Sequence, residues 1–458
     1  MNLISSKEQR VDLTRGNLWA NIWQLSWPML IIMILNFFVG FTDIYVAGLI
    51  SHEVQAAVGF IGQLYFLIII IANATSVGTV ALVSRAIGAG DFPKAMESAK
   101  QSLIFGTMIA LGVTITVLTF CREIIAAVGF PLEIREIAET FLRIYAFCLG
   151  PNYLLIISNA VFRASGEVQK PLLTMFVVSA INVIGDFGLV LGIPPLPKMG
   201  YTGIALATAI SVTIGMGINL VSFSFDRWRS LYTSPWTISA AVLKKIASLS
   251  WPPALLQIGW NAGSIVLYNI LGRIGEAGII ALASITNGLR IEATIFLPAF
   301  ALHMAASVLV GQNLGAGKTE KAVKVGWEVA MVGVVLMSSI ASVIFIWAKY
   351  LASIIAKEPA VLAETTRYLR INMLSEPFMV LSLVLGGGLQ GAGDTRGSMW
   401  VIIIGMWLIR LPLAFFLALV LGYGAIGVWM AMVISMAFQG LLMVRRYHKG
   451  SWKELQLD

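Results

Sequence analysis

Leu25-Ser26-Trp27-Pro28 stands near the head of one long apolar run (20–50), and Leu249-Ser250-Trp251-Pro252 stands near the head of another (238–271). The second copy follows the first by 224 positions, and it has company. Gly88-Ala89-Gly90 returns as Gly315-Ala316-Gly317, each followed by a Lys-Ala pair, Lys94-Ala95 and Lys321-Ala322. Ala164-Ser165-Gly166-Glu167 returns in shifted form as Ala392-Gly393-Asp394, and Gly200-Tyr201 as Gly422-Tyr423. Offsets of 222 to 227, with the markers in one order, describe a chain made of two similar halves.

Between these markers lie apolar runs at 20–50, 54–86, 95–120, 137–162, 171–193 and 200–225. The second half has runs at 238–271, 277–312, 319–347, 361–388, 397–421 and 424–446. Each reaches the ~20 residues a helix needs to cross a bilayer. Hydrophobic residues form 58% of the 458 and charged residues 12%, half the charged share usual in a soluble domain. The expected fold is therefore an all-α polytopic membrane protein with twelve transmembrane helices in two six-helix lobes. Six spans per half is an even number, so both halves enter the membrane from one side, and the repeat is parallel, about an axis along the membrane normal. The expected divisions are an N-terminal cytoplasmic segment 1–19, a first lobe 20–225, a cytoplasmic linker 226–237, a second lobe 238–446 and a cytoplasmic tail 447–458. Two facing bundles leave a seam, the natural place for a substrate cavity.

The net charge of +8 raises the question of nucleic acid, but the basic residues sit in short clusters between apolar runs rather than on one face. Of the 31 Lys and Arg, twenty fall on the side of the two termini, nine on the opposite side, and Arg290 and Arg410 inside spans. The positive-inside rule then places both termini in the cytoplasm and the protein in the cell inner (plasma) membrane. The apolar run after Lys7, Arg10 and Arg15 is too long for a signal-peptide core and reads as a retained first span. Cys121 and Cys148 make no disulfide framework. Gly315-Ala316-Gly317-Lys318-Thr319 lacks the glycine at position 312 that a phosphate-binding loop requires, since Gln312 stands there. His52, His303 and His448 show no metal-ligand spacing, and no arrangement suggests hydrolysis. The reading is a transporter, not an enzyme, with no cofactor beyond a coupling ion.

Six ionisable residues lie inside spans: Asp43, Asp186, Arg290, Glu292, Glu376 and Arg410. Such groups are costly in lipid and mark function by default. The second half holds two acids and two bases, which can neutralise each other. The first half holds two acids and no base. Asp43 is seven residues before Ile50 and Asp186 seven before Ile193, so both sit roughly 10 Å below the same boundary. Asn182 shares a helix face with Asp186, Asn36 shares one with Asp43, and Thr208 lies roughly 12 Å deep in span 6. These hard oxygens suit a small cation or a shared proton, with Asp43, Asp186, Asn182 and Thr208 as the ligands if the ion is Na⁺. Arg290 and Glu376 lie at similar depth, so an ion pair between them is expected. Phe37, Tyr45 and Trp260, with Arg290 and Glu376, are candidates to line a substrate cavity.

With these residues in hand, the chain resembles the multidrug and toxic compound extrusion (MATE) family. The likeness rests on the two six-span repeats and on four patterns. They are Asp43 followed by Ala56-Ala57-Val58-Gly59, the Val83-Ser84-Arg85-Ala86-Ile87-Gly88-Ala89-Gly90-Asp91 turn, the Arg163-Ala164-Ser165-Gly166-Glu167 turn, and Leu389-Gln390-Gly391-Ala392-Gly393-Asp394-Thr395. The resemblance implies an antiporter that expels organic, often cationic, amphipathic drugs or toxic compounds in exchange for Na⁺ or H⁺. It implies a V-shaped pair of lobes and a monomer whose only other partner is lipid. Asp43, Asn182, Asp186 and Thr208 match the first-lobe cation site of the DinF-type branch. Another branch carries acids in spans 7 and 10. Here Gln257, Trp260 and Asn261 occupy that part of span 7, and Glu376 is displaced by about one helical turn. The alternative is a lipid-linked oligosaccharide flippase of related architecture. An ion channel is a further rival, disfavoured because no pore-loop signature interrupts the spans.

Overall fold

The computed structural model describes residues 13–129 and 131–455; Lys7, Arg10 and the end of the tail lie outside them. Among the described residues twelve helices are long and apolar enough to cross a membrane. In the first lobe these are α1 (Leu18–Ile50), α2 (His52–Gly88), α3 (Phe92–Thr119), α4 (Leu132–Ala164), α5 (Gln169–Leu191) and α6 (Tyr201–Phe223). In the second they are α7 (Ala240–Gly272), α8 (Glu276–Gly315), α9 (Thr319–Ile355), α10 (Pro359–Gly391), α11 (Thr395–Val420) and α12 (Gly424–Lys449). Several outrun the apolar runs in the sequence, because helical hydrogen bonding continues into the polar interface: α4 begins at Leu132 and carries Glu133, Arg135 and Glu136 in its first turns. Two details are not visible as hydropathy. A short helix, Cys121–Val128, precedes α4, and α10 is interrupted by a tight turn at Met373–Ser375.

The packing repeats as the sequence does. α2 lies against α4 as α8 lies against α10; α5 packs on α6 as α11 packs on α12; α1 meets α5 as α7 meets α11. Acids anchor turns in each lobe. Asp91 caps α3 by accepting from the Lys94 amide (3.0 Å) and Asp394 caps α11 by accepting from the Gly397 amide (3.1 Å), each satisfying a donor that a helix start leaves open. Glu167, the counterpart of Asp394, accepts from Arg227 Nε (2.8 Å) and Trp228 Nε1 (3.0 Å) just beyond α6. Asp394 accepts from Arg446 Nε (2.7 Å) at the end of α12. In both lobes an acid in one turn holds the end of the lobe's last helix.

The lobes join through α1 and α2 on one side and α7 and α8 on the other. α2 and α8 cross in backbone contact: a Cβ on Gly88 would overlap the Gln312 carbonyl, and one on Gly315 would overlap the Arg85 carbonyl. These are the two matching glycines of the repeat, and only a residue without a side chain admits such an approach. The core shared by both lobes draws its first-lobe members, such as Leu25, Met29, Val83 and Ile157, from the halves of the helices nearest the chain termini. The other half of the first lobe has a core of its own, from Val46 and Ile61 to Phe141 and Ile204. The lobes thus share packing at the terminal face and separate towards the opposite one.

The first and last described segments are stitched across that terminal face. Leu13 is buried in the shared core, and the Thr14 carbonyl accepts from Lys318 Nζ and Lys321 Nζ of the second lobe, both at 3.0 Å. In return, the second lobe's tail buries Trp452 and offers the Leu455 carbonyl to Arg85 of the first. The linker is fastened to α3, where Lys100 Nζ donates to the Ser234 carbonyl (2.9 Å) and Gln101 Nε2 to that of Thr237 (2.6 Å).

Two outcomes follow from these contacts. Burial pushes the Glu167 carboxyl up, but Arg227 and Lys170 more than offset it and hold it below the usual carboxylate range. A depressed acid stabilises the fold above its unfolded pKa and ceases to do so as pH falls through the folded one. Glu167→Gln should therefore cost about 1–3 kcal/mol of thermal stability at neutral pH, with the gap to the parent closing in acid; a gap that persists at low pH would assign the loss to something other than the ion pair. Separately, Gly315→Val should wedge α2 from α8. In a background lacking Cys121 and Cys148, a cysteine replacing the buried Ser84 should then react with a water-soluble maleimide at least ten times faster, and unchanged protection would show that another contact seals the face.

Candidate functional site

In the first lobe the structure brings Asp43, Asn182, Asp186 and Thr208 into one pocket. α5 supplies Asn182 and Asp186 one helical turn apart on a common face, and both are fully buried. α1 brings Asp43 directly against Asp186 and Asn182. α6 supplies Thr208, whose hydroxyl oxygen accepts from Asn182 Nδ2 at 3.1 Å. Asp43 Oδ1, Asn182 Oδ1 and both carboxylate oxygens of Asp186 are buried without a hydrogen-bond partner. Buried polar atoms are almost always satisfied, so four unsatisfied acceptors in one pocket call for a missing donor or cation. The donor set, oxygen only with two negative charges, fits H⁺ or a hard alkali cation rather than a soft metal.

One member of this pocket was not singled out in the sequence. Tyr145 of α4 is buried beside Thr208 and within the field of both acids. Its ring packs 4.6 Å from Tyr65, and Tyr65 in turn accepts from Asn152 Nδ2 at 2.6 Å. The only signal it leaves in the sequence is a tyrosine within an apolar run. Asn36, expected in the pocket, is not there. Its amide donates to the Ile32 carbonyl one turn back on its own helix (2.9 Å), and the side chain is exposed.

The cavity candidates do not converge on one place. Phe37 and Tyr45 present exposed rings on α1, 56% and 52% accessible, with Tyr45 reaching Phe187 of α5. Arg290 is exposed and does not pair with Glu376. It lies two residues from Glu292, about 200° around the helix, so it points away from the acids of the second lobe. Arg410, not Arg290, is the arginine buried in this lobe, and it makes no ion pair with Glu376 either. Buried at 3% exposure, Arg410 donates from Nε to Ser435 Oγ at 2.8 Å, stacks its guanidinium 5.0 Å over the Trp260 ring and faces Glu292. Glu376 and Tyr368 complete that cluster.

Relatives share this architecture. The MatE family model matches residues 28–187 and again residues 252–416, once in each lobe. A probable multidrug resistance protein NorM of Thermotoga maritima is 26% identical over 441 residues, spanning 94% of this chain and 92% of that protein. The uncharacterized transporter YisQ of Bacillus subtilis is 23% identical over 439 residues, spanning 94% of each. Among solved structures, a MATE in the bent conformation superposes with a TM-score of 0.87 at 21% identity over 97% of this chain and 98% of the other. A multidrug resistance MATE family transporter of the MOP superfamily in its outward-facing conformation gives 0.87 and 21% over 99% and 100%. With one family matched lobe by lobe on a twelve-helix membrane scaffold, the chain belongs to the MatE family and is a transporter rather than an enzyme.

Proposed function

We propose that this protein is a secondary antiporter that exports organic, often cationic, amphipathic compounds by alternating access, driven by H⁺ or Na⁺ entering at Asp43 and Asp186. The observation that carries this reading is the pocket of four unsatisfied buried oxygens, two acids and an amide with no base beside them. The printed names of relatives, multidrug resistance proteins among them, support the substrate class. The excess of basic residues on the terminal side supports cytoplasmic termini in the cell inner membrane. Two lobes within one chain supply the seam a substrate needs, which supports a monomer.

The chemistry is electrostatic. Two carboxylates side by side in an apolar bundle repel, and a cation between them removes that repulsion. Asp43 is α1's contribution to the pocket, whereas Asn182, Asp186, Thr208 and Tyr145 ride on α4, α5 and α6. Filling the pocket therefore draws α1 onto the rest of the lobe, and emptying it lets α1 go. Pro28 lies inside α1 and removes one helical hydrogen bond, which gives the helix a place to bend. Bending α1 narrows the space between the lobes and expels the compound held there. One pH unit supplies about 1.4 kcal/mol per proton, and 100 mV adds about 2.3 kcal/mol per charge moved. Together these sustain a gradient of several hundredfold for a neutral compound at one proton per cycle.

Asp43→Asn should abolish drug and dye resistance, at least tenfold in inhibitory concentration, while the protein remains in the membrane; full efflux by that variant would refute the coupling role. In proteoliposomes, export of a cationic dye should follow a proton or sodium gradient imposed on its own and vanish without either. Dye export indifferent to both, or an envelope-precursor defect in cells with normal dye tolerance, would favour the flippase instead.

A further inference from the structure

The segment that leads into each lobe crosses to the other lobe and is clamped there by lysine. Residues 13–15, before α1, and residues 237–239, before α7, stand 224 positions apart, within the offsets of the repeat. The first strap is held by the opening of α9. Lys318 Nζ donates to the carbonyl and the hydroxyl of Thr14, at 3.0 and 2.9 Å, and Lys321 Nζ donates to the same carbonyl at 3.0 Å. The second strap is held by α3, the first-lobe counterpart of α9. Lys100 Nζ donates to the carbonyl and the hydroxyl of Ser234, at 2.9 and 2.5 Å. Gln101 donates to the Thr237 carbonyl at 2.6 Å and accepts from the amide of Ser239, the residue that caps α7, at 3.2 Å. In both straps a lysine closes on the two oxygens of one hydroxyl residue. The far end of each strap is fixed as well. Asn21 of α1 donates to the Leu13 and Arg15 carbonyls, at 3.2 and 3.0 Å, and Leu13 packs against Gly166 of the first lobe. The second strap runs directly into α7.

We propose that the two straps are a paired latch on the terminal face. Engaged as they are here, they keep that face shut while the seam opens towards the opposite one. When the lobes rock, both release, and the terminal face opens. The proposal deepens the alternating-access reading and rests on it. Parting α9 from the head of α1, or α3 from the head of α7, breaks a clamp in each case, so neither lobe swings away with its strap engaged. The chemistry suits a contact that is made and broken in every cycle. The acceptors of all three lysines are neutral oxygens, and none of the three pairs with a carboxylate among the described residues. A bond of this kind is exchanged for one to water, so its net hold is modest. The latch also shares a helix with the ion pocket. α1 carries Asp43 towards one end and Asn21, which holds the first strap, towards the other. Ion occupancy and strap release thus act on the two ends of one helix.

The test uses the full chain with Cys121→Ser/Cys148→Ser. In that background Ser84→Cys, at the crossing of α2 and α8, reports opening of the terminal face to a water-soluble maleimide. Lys318→Met/Lys321→Met should speed its labelling about threefold, Lys100→Met/Gln101→Leu likewise, and all four together about tenfold, as the loss of one bond's net worth per strap implies. Unchanged labelling in the folded variants overturns the proposal. A second arm does not depend on those variants folding. In proteoliposomes a cleavable thiol crosslinker joining Thr14→Cys to Lys318→Cys, or Ser234→Cys to Lys100→Cys, should stop dye export, and cleavage should restore it. Export at the uncrosslinked rate through either crosslink overturns the proposal. The uncrosslinked chain separates this failure from that of the reading beneath it. If it exports no dye under a proton or a sodium gradient, the antiport reading has failed, and the labelling arm, which needs no transport, still decides the latch. If it exports dye and the crosslinked forms export as fast, the latch alone has failed.

Discussion

Like charges brought together in a medium that cannot screen them are the constraint from which the rest of this transporter follows. Asp43 and Asp186 meet in a pocket lined by aromatic rings and helix backbone, with an amide and a hydroxyl as their polar company. Such a pocket has a low-energy state only with a cation in it. Because one acid rides on α1 and the other on the packed core of the lobe, occupancy is a force between helices. A site built on a single helix would bind an ion equally well and move nothing. The proposed coupling lies in dividing the site between α1, which carries an internal proline, and the bundle against which it packs.

Set beside this, the second lobe shows how a duplicated scaffold diverges. The helix pairings are kept almost one for one, as is the acid that holds the end of each lobe's last helix, because they answer to packing. The buried charges are not kept. One lobe buries two acids with no base beside them; the other buries a guanidinium over an indole and against a serine hydroxyl, with glutamates nearby. Geometry was conserved by the demands of folding, and polarity was left free to change.

Much of this was legible before any coordinates, for reasons that can be named. A helix converts residue count into depth, so Asp43 and Asp186, each seven residues from a span end, had to lie at one level, and Asn182 followed from its four-residue spacing. Depth does not fix direction around the helix axis. That is why Arg290 could be matched with Glu376 by depth and yet point elsewhere, while Arg410, whose azimuth depends on the widened winding of α11, is the base buried inside that lobe. Asn36 failed for another reason. A short amide can satisfy itself on the carbonyl one turn back, and a shared face says nothing about that choice. Tyr145 was missed because a tyrosine in an apolar run carries no distinguishing pattern. The crossing of α2 and α8 is a subtler case: the repeated Gly-Ala-Gly looked like a turn and is also the place where two backbones touch.

The stitching of the first and last described segments across the terminal face has a bearing on biosynthesis. Thr14 is made before the first lobe, whereas Lys318 and Lys321, which donate to its carbonyl, are made after that lobe and two further spans. Leu455, the partner of Arg85, is made after all twelve spans. The earlier segment must wait for a later lobe, and the face acquires these bonds only after the last span has been made. A half-inserted chain therefore lacks these bonds, so assembly of the seal doubles as a check that both lobes have arrived.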